Sequence, residues 1–155
     1  LNALPEPPRR LGRVDPVRVP RRTLQVVDLP SAEIRPAHLP LIALAIRGEK
    51  LDEAIALVRR ALEKDPDNGA YLDSLGWAHF RRGDINEAFK YLSAAAERMP
   101  ESSEVLDHLG DVQARRGQLQ DAIQAWTRAL SGDGSGIDRS TVEKKVQDAR
   151  QKLAR

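Results

Sequence analysis

The side chains best suited to chemistry in this 155-residue chain are three histidines, His38, His79 and His108. Histidine binds metals and transfers protons near neutral pH. The sequence contains no His-x-x-x-His pair and no acidic ligand cluster, although Asp107 and Asp111 flank His108. His79 falls on an apolar helical stripe and is expected to pack in the core. We therefore predict neither a metal site nor a catalytic residue.

Other catalytic signatures are also missing from the sequence. The chain has no cysteine, which excludes disulfides, thiolate metal sites and cysteine nucleophiles. The glycine-rich stretch at 131–136 lacks the lysine and the preceding strand of a phosphate-binding loop, so it is interpreted as a flexible linker. These observations predict a protein that is not an enzyme and needs no cofactor.

No part of the sequence predicts a membrane-spanning helix. The longest apolar run, residues 39–46, contains Pro40 and is far shorter than the roughly 20 residues that a span requires. No signal peptide opens the chain, and its first residue is not Met. We expect membrane association only through a partner or through a missing upstream region.

A repeat with a period of about 34 residues organises the body of the chain. Pro66 and Pro100 stand one period apart, and the same shift aligns Leu72-Asp73-x-Leu75-Gly76 with Leu106-Asp107-x-Leu109-Gly110. Each unit is predicted to contain two helices. In the central unit, helix A covers about 69–82 after an N-cap at Asn68 or Asp67, and Gly83 ends it.

The second helix of the central unit is expected to begin after Asp84, with Glu87 completing a capping box, and to continue to about Arg98. Ser140-x-x-Glu143 is likewise interpreted as a capping box that opens a final helix to about Ala154. Its apolar stripe is Val142, Val146, Ala149 and Leu153. Such a polar-backed helix is typical of the end of a repeat array.

These residues resemble the tetratricopeptide repeat. The matching pattern is Leu72-x-x-Leu75-Gly76-x-x-His79, then Ala88-x-x-x-Leu92, Ala95 and Pro100, and the next unit repeats it. The resemblance implies an all-α, right-handed superhelical solenoid of about three helix pairs with a C-terminal capping helix. The predicted organisation is an extended arm (1–35), repeats at 36–68, 69–102 and 103–136, and the cap at 137–155. Pro36 and Pro40 predict a short, irregular first helix.

In this family the first helix of each unit lines a concave surface where partners bind. Helical spacing and the resemblance together place seven candidate partner-binding residues there: Asp73, Trp77, Phe80, Arg81, Asp107, Asp111 and Arg115. The aspartates argue against the binding of a partner's terminal carboxylate and favour a basic, apolar or aromatic segment. The alternative is an ordinary solvated face in which Asp111 pairs with Arg115 and Trp77 packs against the first unit.

The arm is rich in proline and arginine. Eight of the ten prolines lie in residues 1–40, and residues 1–22 carry Arg9, Arg10, Arg13, Arg18, Arg21 and Arg22 against only Glu6 and Asp15. The arm is interpreted either as a solvated linker or as a segment that docks on an acidic groove or a partner subunit. Nucleic-acid binding is disfavoured, since the arm has no aromatic residue for stacking.

The function predicted from the sequence is a protein–protein interaction module, or scaffold. The alternative is a structural subunit that is locked into a larger complex through its arm, and a nucleic-acid adaptor is the least favoured reading. The repeats look like the final repeats of longer bacterial proteins, some of which are envelope-associated adaptors. That similarity suggests a bacterial cytoplasmic or periplasmic location without choosing between the two.

Overall fold

The computed structural model describes residues 50–155, which fold into six α-helices and contain no strand. The helices are α1 (Leu51–Lys64), α2 (Gly69–Arg82), α3 (Ile85–Arg98), α4 (Ser103–Arg115), α5 (Leu119–Ser131) and α6 (Arg139–Leu153). Each helix packs mainly against the next one along the chain, which is the arrangement of a helical solenoid. The predicted arm and the first helix of the first repeat lie outside the described residues.

The central helix pair follows its local sequence signals. The Asn68 side chain accepts a hydrogen bond from the backbone N–H of Tyr71 at 3.1 Å, and Gly83 ends α2 with a left-handed φ of +91°. These ends confirm the predicted bounds of α2. The predicted capping box of α3 is wrong, because the Asp84 side chain caps no backbone N–H. Its carboxylate instead contacts His79 and Arg82.

Close contact between paired helices depends on small residues. A Cβ atom at Gly76 would lie 2.6 Å from Leu92 Cγ, and Ala88 is fully buried between the same helices. Side chains from both helices and from α4 complete this part of the core, including Leu92, Val105 and Leu106. Across residues 50–155 the apolar interior divides into three clusters, and Leu62 and Tyr91 pack against two of them.

The final helix closes the far end of the solenoid, but it begins earlier than predicted. Asp138 is its N-cap, because its carboxylate accepts hydrogen bonds from the Thr141 backbone N–H and the Ser140 hydroxyl. Three predicted stripe residues, Val142, Val146 and Ala149, are buried. The fourth, Leu153, is 49% exposed and does not belong to the core.

The glycine-rich stretch before α6 is fastened to the solenoid. Asp133 accepts a hydrogen bond from the Ser103 backbone N–H at 3.1 Å, and the buried Ser103 hydroxyl donates to the Ala129 carbonyl at 2.7 Å. The Gly134 N–H donates to the same hydroxyl at 2.8 Å. The prediction of a flexible linker is therefore wrong, because these hydrogen bonds fix the direction in which the chain enters α6.

Candidate partner-binding groove

The first predicted groove residue, Asp73, is a buried partner of the next repeat. It projects from α2, is 9% exposed, and its Oδ1 lies 2.8 Å from Nδ1 of His108 on α4. Burial lowers the pKa of His108, but the nearby carboxylates of Asp73, Glu104 and Asp107 outweigh this effect, so the pKa is raised above its ordinary value. The carboxylate of Asp73 therefore favours the charged form of the His108 ring.

The other two aspartates predicted for the groove, Asp107 and Asp111, both contact one lysine. Lys145 Nζ on α6 lies 2.8 Å from Asp107 Oδ1 and 2.7 Å from Asp111 Oδ1. Trp126 on α5 donates its ring N–H to Asp111 at 3.1 Å. Burial raises the pKa of Asp111, an effect that Lys145 opposes without cancelling. Burial lowers the pKa of Lys145, but the hydrogen bonds to both carboxylates outweigh it and raise that pKa.

The same type of contact thus occurs at two successive joints of the solenoid. Asp73 on α2 contacts His108 of α4. Asp107, which is the equivalent of Asp73 in the next repeat, contacts Lys145 of α6. The alternative that Asp111 pairs with Arg115 is wrong, because Lys145 takes that place and the Arg115 guanidinium lies over the Phe80 ring instead, 5.8 Å from its centroid.

An aromatic stack runs beside these ion pairs. The Trp77 ring lies 4.0 Å from the His108 ring and 4.9 Å from the Phe80 ring, measured between centroids, and all three are nearly parallel. Trp77 is half-buried and also packs against the core formed by α1 and α2. Both possibilities left open for Trp77 therefore remain: it packs within the fold and keeps an exposed edge.

An open groove of about 330 Å³ lies where α2, α4, α5 and α6 meet. Its apolar lining comes from Phe80, Ala114, Leu119, Trp126 and Ala149, and its charged lining from Asp111, Arg115, Lys145, Asp148 and Lys152. Of the seven residues predicted for the partner surface, Phe80, Asp111 and Arg115 line this groove. The other four do not; Asp73 and Asp107 are held in inter-repeat contacts, Trp77 is in the stack, and Arg81 is exposed on α2.

Sequence reasoning missed the contribution of the capping helix. The sequence analysis treated α6 as a polar-backed cap, yet three of its polar residues, Lys145, Asp148 and Lys152, line the groove. One signal was available, because Lys145 lies on the helical stripe of Val142 and Val146, where an apolar residue is otherwise expected. A lysine on that stripe indicates a carboxylate on the neighbouring helix.

Other types of site are absent from the described part of the chain. Across residues 50–155, no group of three histidine, aspartate or glutamate side chains is arranged to bind a metal ion. No helix in this same part of the chain is long and apolar enough to cross a bilayer.

Comparison with known proteins identifies the repeat. A sequence model of the tetratricopeptide repeat matches residues 40–103 and again residues 74–136. No curated protein sequence matches the chain significantly.

Several solved structures share the fold at low sequence identity. The Sgt2 TPR domain from Aspergillus fumigatus superposes with a TM-score of 0.69 at 20% identity, covering 77% of this chain and 81% of that domain. The first TPR domain of Spaghetti (RPAP3), bound to an HSP90 peptide, gives 0.67 at 17% identity over 79% and 98% of the two chains. The type III secretion translocator chaperone SycD of Yersinia enterocolitica gives 0.70 at 14% identity over 86% and 94%.

Proposed function

Because the chain belongs to the tetratricopeptide repeat family, whose members are typically protein-interaction domains, we propose that it is a non-enzymatic module that binds a partner segment in its concave groove. The observation that carries this proposal is the open groove between the first helices of two repeats and the capping helix. Its half-buried apolar residues Phe80, Ala114 and Leu119, framed by charges, are a surface that a partner's side chain can cover.

The structure favours an apolar anchor over a basic one. A basic partner was expected because Asp107 and Asp111 are like charges one helical turn apart. Lys145 already occupies the position between these carboxylates that a partner's cation would take. Phe80 and Ala114 line the groove and are only half-buried, so an apolar side chain of the partner has a surface to cover beside the Arg115 guanidinium.

Two of the structural neighbours support this proposal. One is a TPR domain with a peptide bound, and another is a chaperone of secreted translocators. The first of these structures contains the fold with another polypeptide bound.

The test is a substitution that fills the groove, and circular dichroism checks that the variant is folded. Ala114→Gln places a longer polar side chain on a half-buried position of α4, and Ala56→Gln makes the same change on an exposed position of α1. The full chain is used to select binders from a random peptide display library. We expect the selected peptides to lose binding to Ala114→Gln and to keep binding to Ala56→Gln. Peptides that bind both variants equally, or a selection that yields no binder, would count against the groove.

A further inference from the structure

The turn between α1 and α2 contains a pair of residues suited to spontaneous chemistry. Asn68 is followed by Gly69. The backbone nitrogen of the next residue can attack an asparagine side-chain amide, and glycine permits this attack best because it has no Cβ and few backbone restrictions. The other two asparagines of the chain, Asn2 and Asn86, precede residues that carry a Cβ. The sequence therefore singles out Asn68 among the three.

The fold holds Asn68 in a conformation that does not allow this attack. The side chain is the N-cap of α2: its Oδ1 accepts the Tyr71 backbone N–H at 3.1 Å, and its Nδ2 donates to Asp65 Oδ2 at 2.9 Å. The Asn68 ψ of 105° places the Gly69 nitrogen on the far side of the Cα–C bond from the side chain. Ring closure must therefore break both hydrogen bonds and rotate this backbone bond, which opens the first turn of α2.

The attacking nitrogen has no competing partner within its helix. Gly69 is the first residue of α2, where a backbone N–H lacks an intrahelical acceptor. The similar pair Asp133–Gly134 differs at both reacting atoms. The Gly134 N–H donates to the Ser103 hydroxyl at 2.8 Å, and Asp133 stays ionised because three hydrogen bonds lower its pKa to about 2. An ionised carboxylate is a poor electrophile, so Asn68 is the more reactive of the two sites.

We propose that Asn68 is a site of spontaneous deamidation whose rate is controlled by opening of the α2 cap. The Gly69 nitrogen bonds to Asn68 Cγ, and the side-chain amide leaves as ammonia with the proton of that nitrogen, which gives a cyclic imide. Water then opens the imide at either carbonyl and produces aspartate or isoaspartate. Water is the only other reactant that the sequence of steps requires.

Both products change the turn that joins the first and second repeats. Aspartate keeps an oxygen for the Tyr71 N–H, but it loses the hydrogen bond to Asp65 and adds a negative charge beside Asp65 and Asp67. Isoaspartate also lengthens the backbone by a methylene group, so the oxygen that caps α2 is displaced. Because Asp67 contacts Arg98 of α3, the change reaches the packing of the next helix pair.

The experiment incubates the full chain at neutral pH, folded in buffer and unfolded in urea. Peptide mapping by mass spectrometry follows the conversion of Asn68, and protein isoaspartate methyltransferase detects the isoaspartate. In urea, Asn68 should convert at least about tenfold faster than Asn86, because only Asn68 precedes glycine. In the folded chain, Asn68 should convert at least about tenfold more slowly than in urea, since reaction must wait for the cap to open.

A variant tests the role of the cap directly. Asp65→Ala removes the acceptor of Asn68 Nδ2 and should raise the folded rate about threefold while leaving the rate in urea unchanged. Glu63→Ala removes an exposed carboxylate of α1 and should change neither rate. If Asn68 converts no faster than Asn86 in urea, the site is refuted. Equal rates in folded and unfolded chain, or an unchanged folded rate in Asp65→Ala, refute control by the cap. Circular dichroism checks that each variant is folded.

Discussion

Lys145→Met tests whether the capping helix is held by charge. Methionine keeps much of the side-chain length but removes the ammonium that joins Asp107 and Asp111. The lysine is 26% exposed and the carboxylates are 17% and 20% exposed, so the cluster lies between a surface pair and a buried one. Surface pairs contribute about 0–1 kcal/mol, and breaking a buried pair costs about 3–5 kcal/mol. We therefore expect the free energy of unfolding to fall by about 2 kcal/mol.

Urea unfolding at neutral pH measures this loss. With a slope of about 2 kcal/mol per molar urea, the midpoint should fall by roughly 1 M. Lys144→Met is the matched control, because Lys144 is the neighbouring exposed lysine on the same helix and forms no ion pair with any residue from 50 to 155. If Lys145→Met destabilises the protein no more than Lys144→Met does, the ion pairs do not hold the cap.

The pH dependence separates charge from packing. Burial already raises the pKa of Asp111, and removing Lys145 should raise it further. Protonated carboxyl groups need no cation, so the difference between wild type and Lys145→Met should shrink as the pH falls toward about 4. The lysine has a raised pKa, so its own stabilisation is present below about pH 10.5 and is lost above its folded pKa. A difference that stays constant from neutral to acidic pH would show that the lysine acts through packing alone.

Three further predictions concern other parts of the solenoid. Because the pKa of His108 is raised, the stabilisation by its ion pair with Asp73 should be complete below about pH 6.5 and should be lost, by roughly 1 kcal/mol, as the pH rises through the folded value. In urea unfolding, the stability difference between wild type and His108→Gln should therefore shrink at alkaline pH to the part contributed by the ring stack with Trp77. Gly110→Ala should lower the free energy of unfolding by about 2 kcal/mol, because its Cβ would lie 2.5 Å from Cδ1 of the buried Trp126. Gly117→Ala is the control: its Cβ meets open space, so it should lower that free energy only by the strain of its positive φ, about 1 kcal/mol. Three hydrogen bonds, from the Ser103 N–H and from the N–H and hydroxyl of Ser135, lower the pKa of Asp133 to about 2. The stabilisation by the Asp133 carboxylate is therefore present above about pH 4 and is lost as the pH falls to about 2. In an acid titration, the stability difference between wild type and Asp133→Asn should disappear over that interval.

The helices of the central repeat could be predicted because their signals are local. Asn68 and Gly83 each act within a few residues of the helix end that they set, and an apolar stripe between them fixes the buried face. The two failed capping boxes have a different cause. The Asp84 carboxylate contacts side chains of the preceding helix and does not cap α3. At the last helix, Asp138 is the N-cap in place of Ser140, which lies two residues further along the chain.

The groove could be predicted only in part, because its charges are set by contacts between distant residues. Helical spacing assigned Phe80, Asp111 and Arg115 to the partner surface, and these three line one groove. It could not show that the partner of Asp107 lies 38 residues further on, so the face looked acidic. The charge of a surface depends on which side chains contact one another. The 34-residue period shows which positions are equivalent, but it does not show which side chains are in contact.

The contact of Lys145 with α4 also determines how the capping helix can be used outside this protein. Its lysine matches two aspartates at defined positions of the repeat before it, and the ring N–H of Trp126 on α5 supports one of them. The transferable unit is therefore α4, α5 and α6 together. Grafted alone onto another array, α6 would bring an uncompensated cation into a site without its carboxylates. Conversely, an array lengthened by one repeat before the cap would keep its end intact only if the inserted repeat carried the same pair of aspartates.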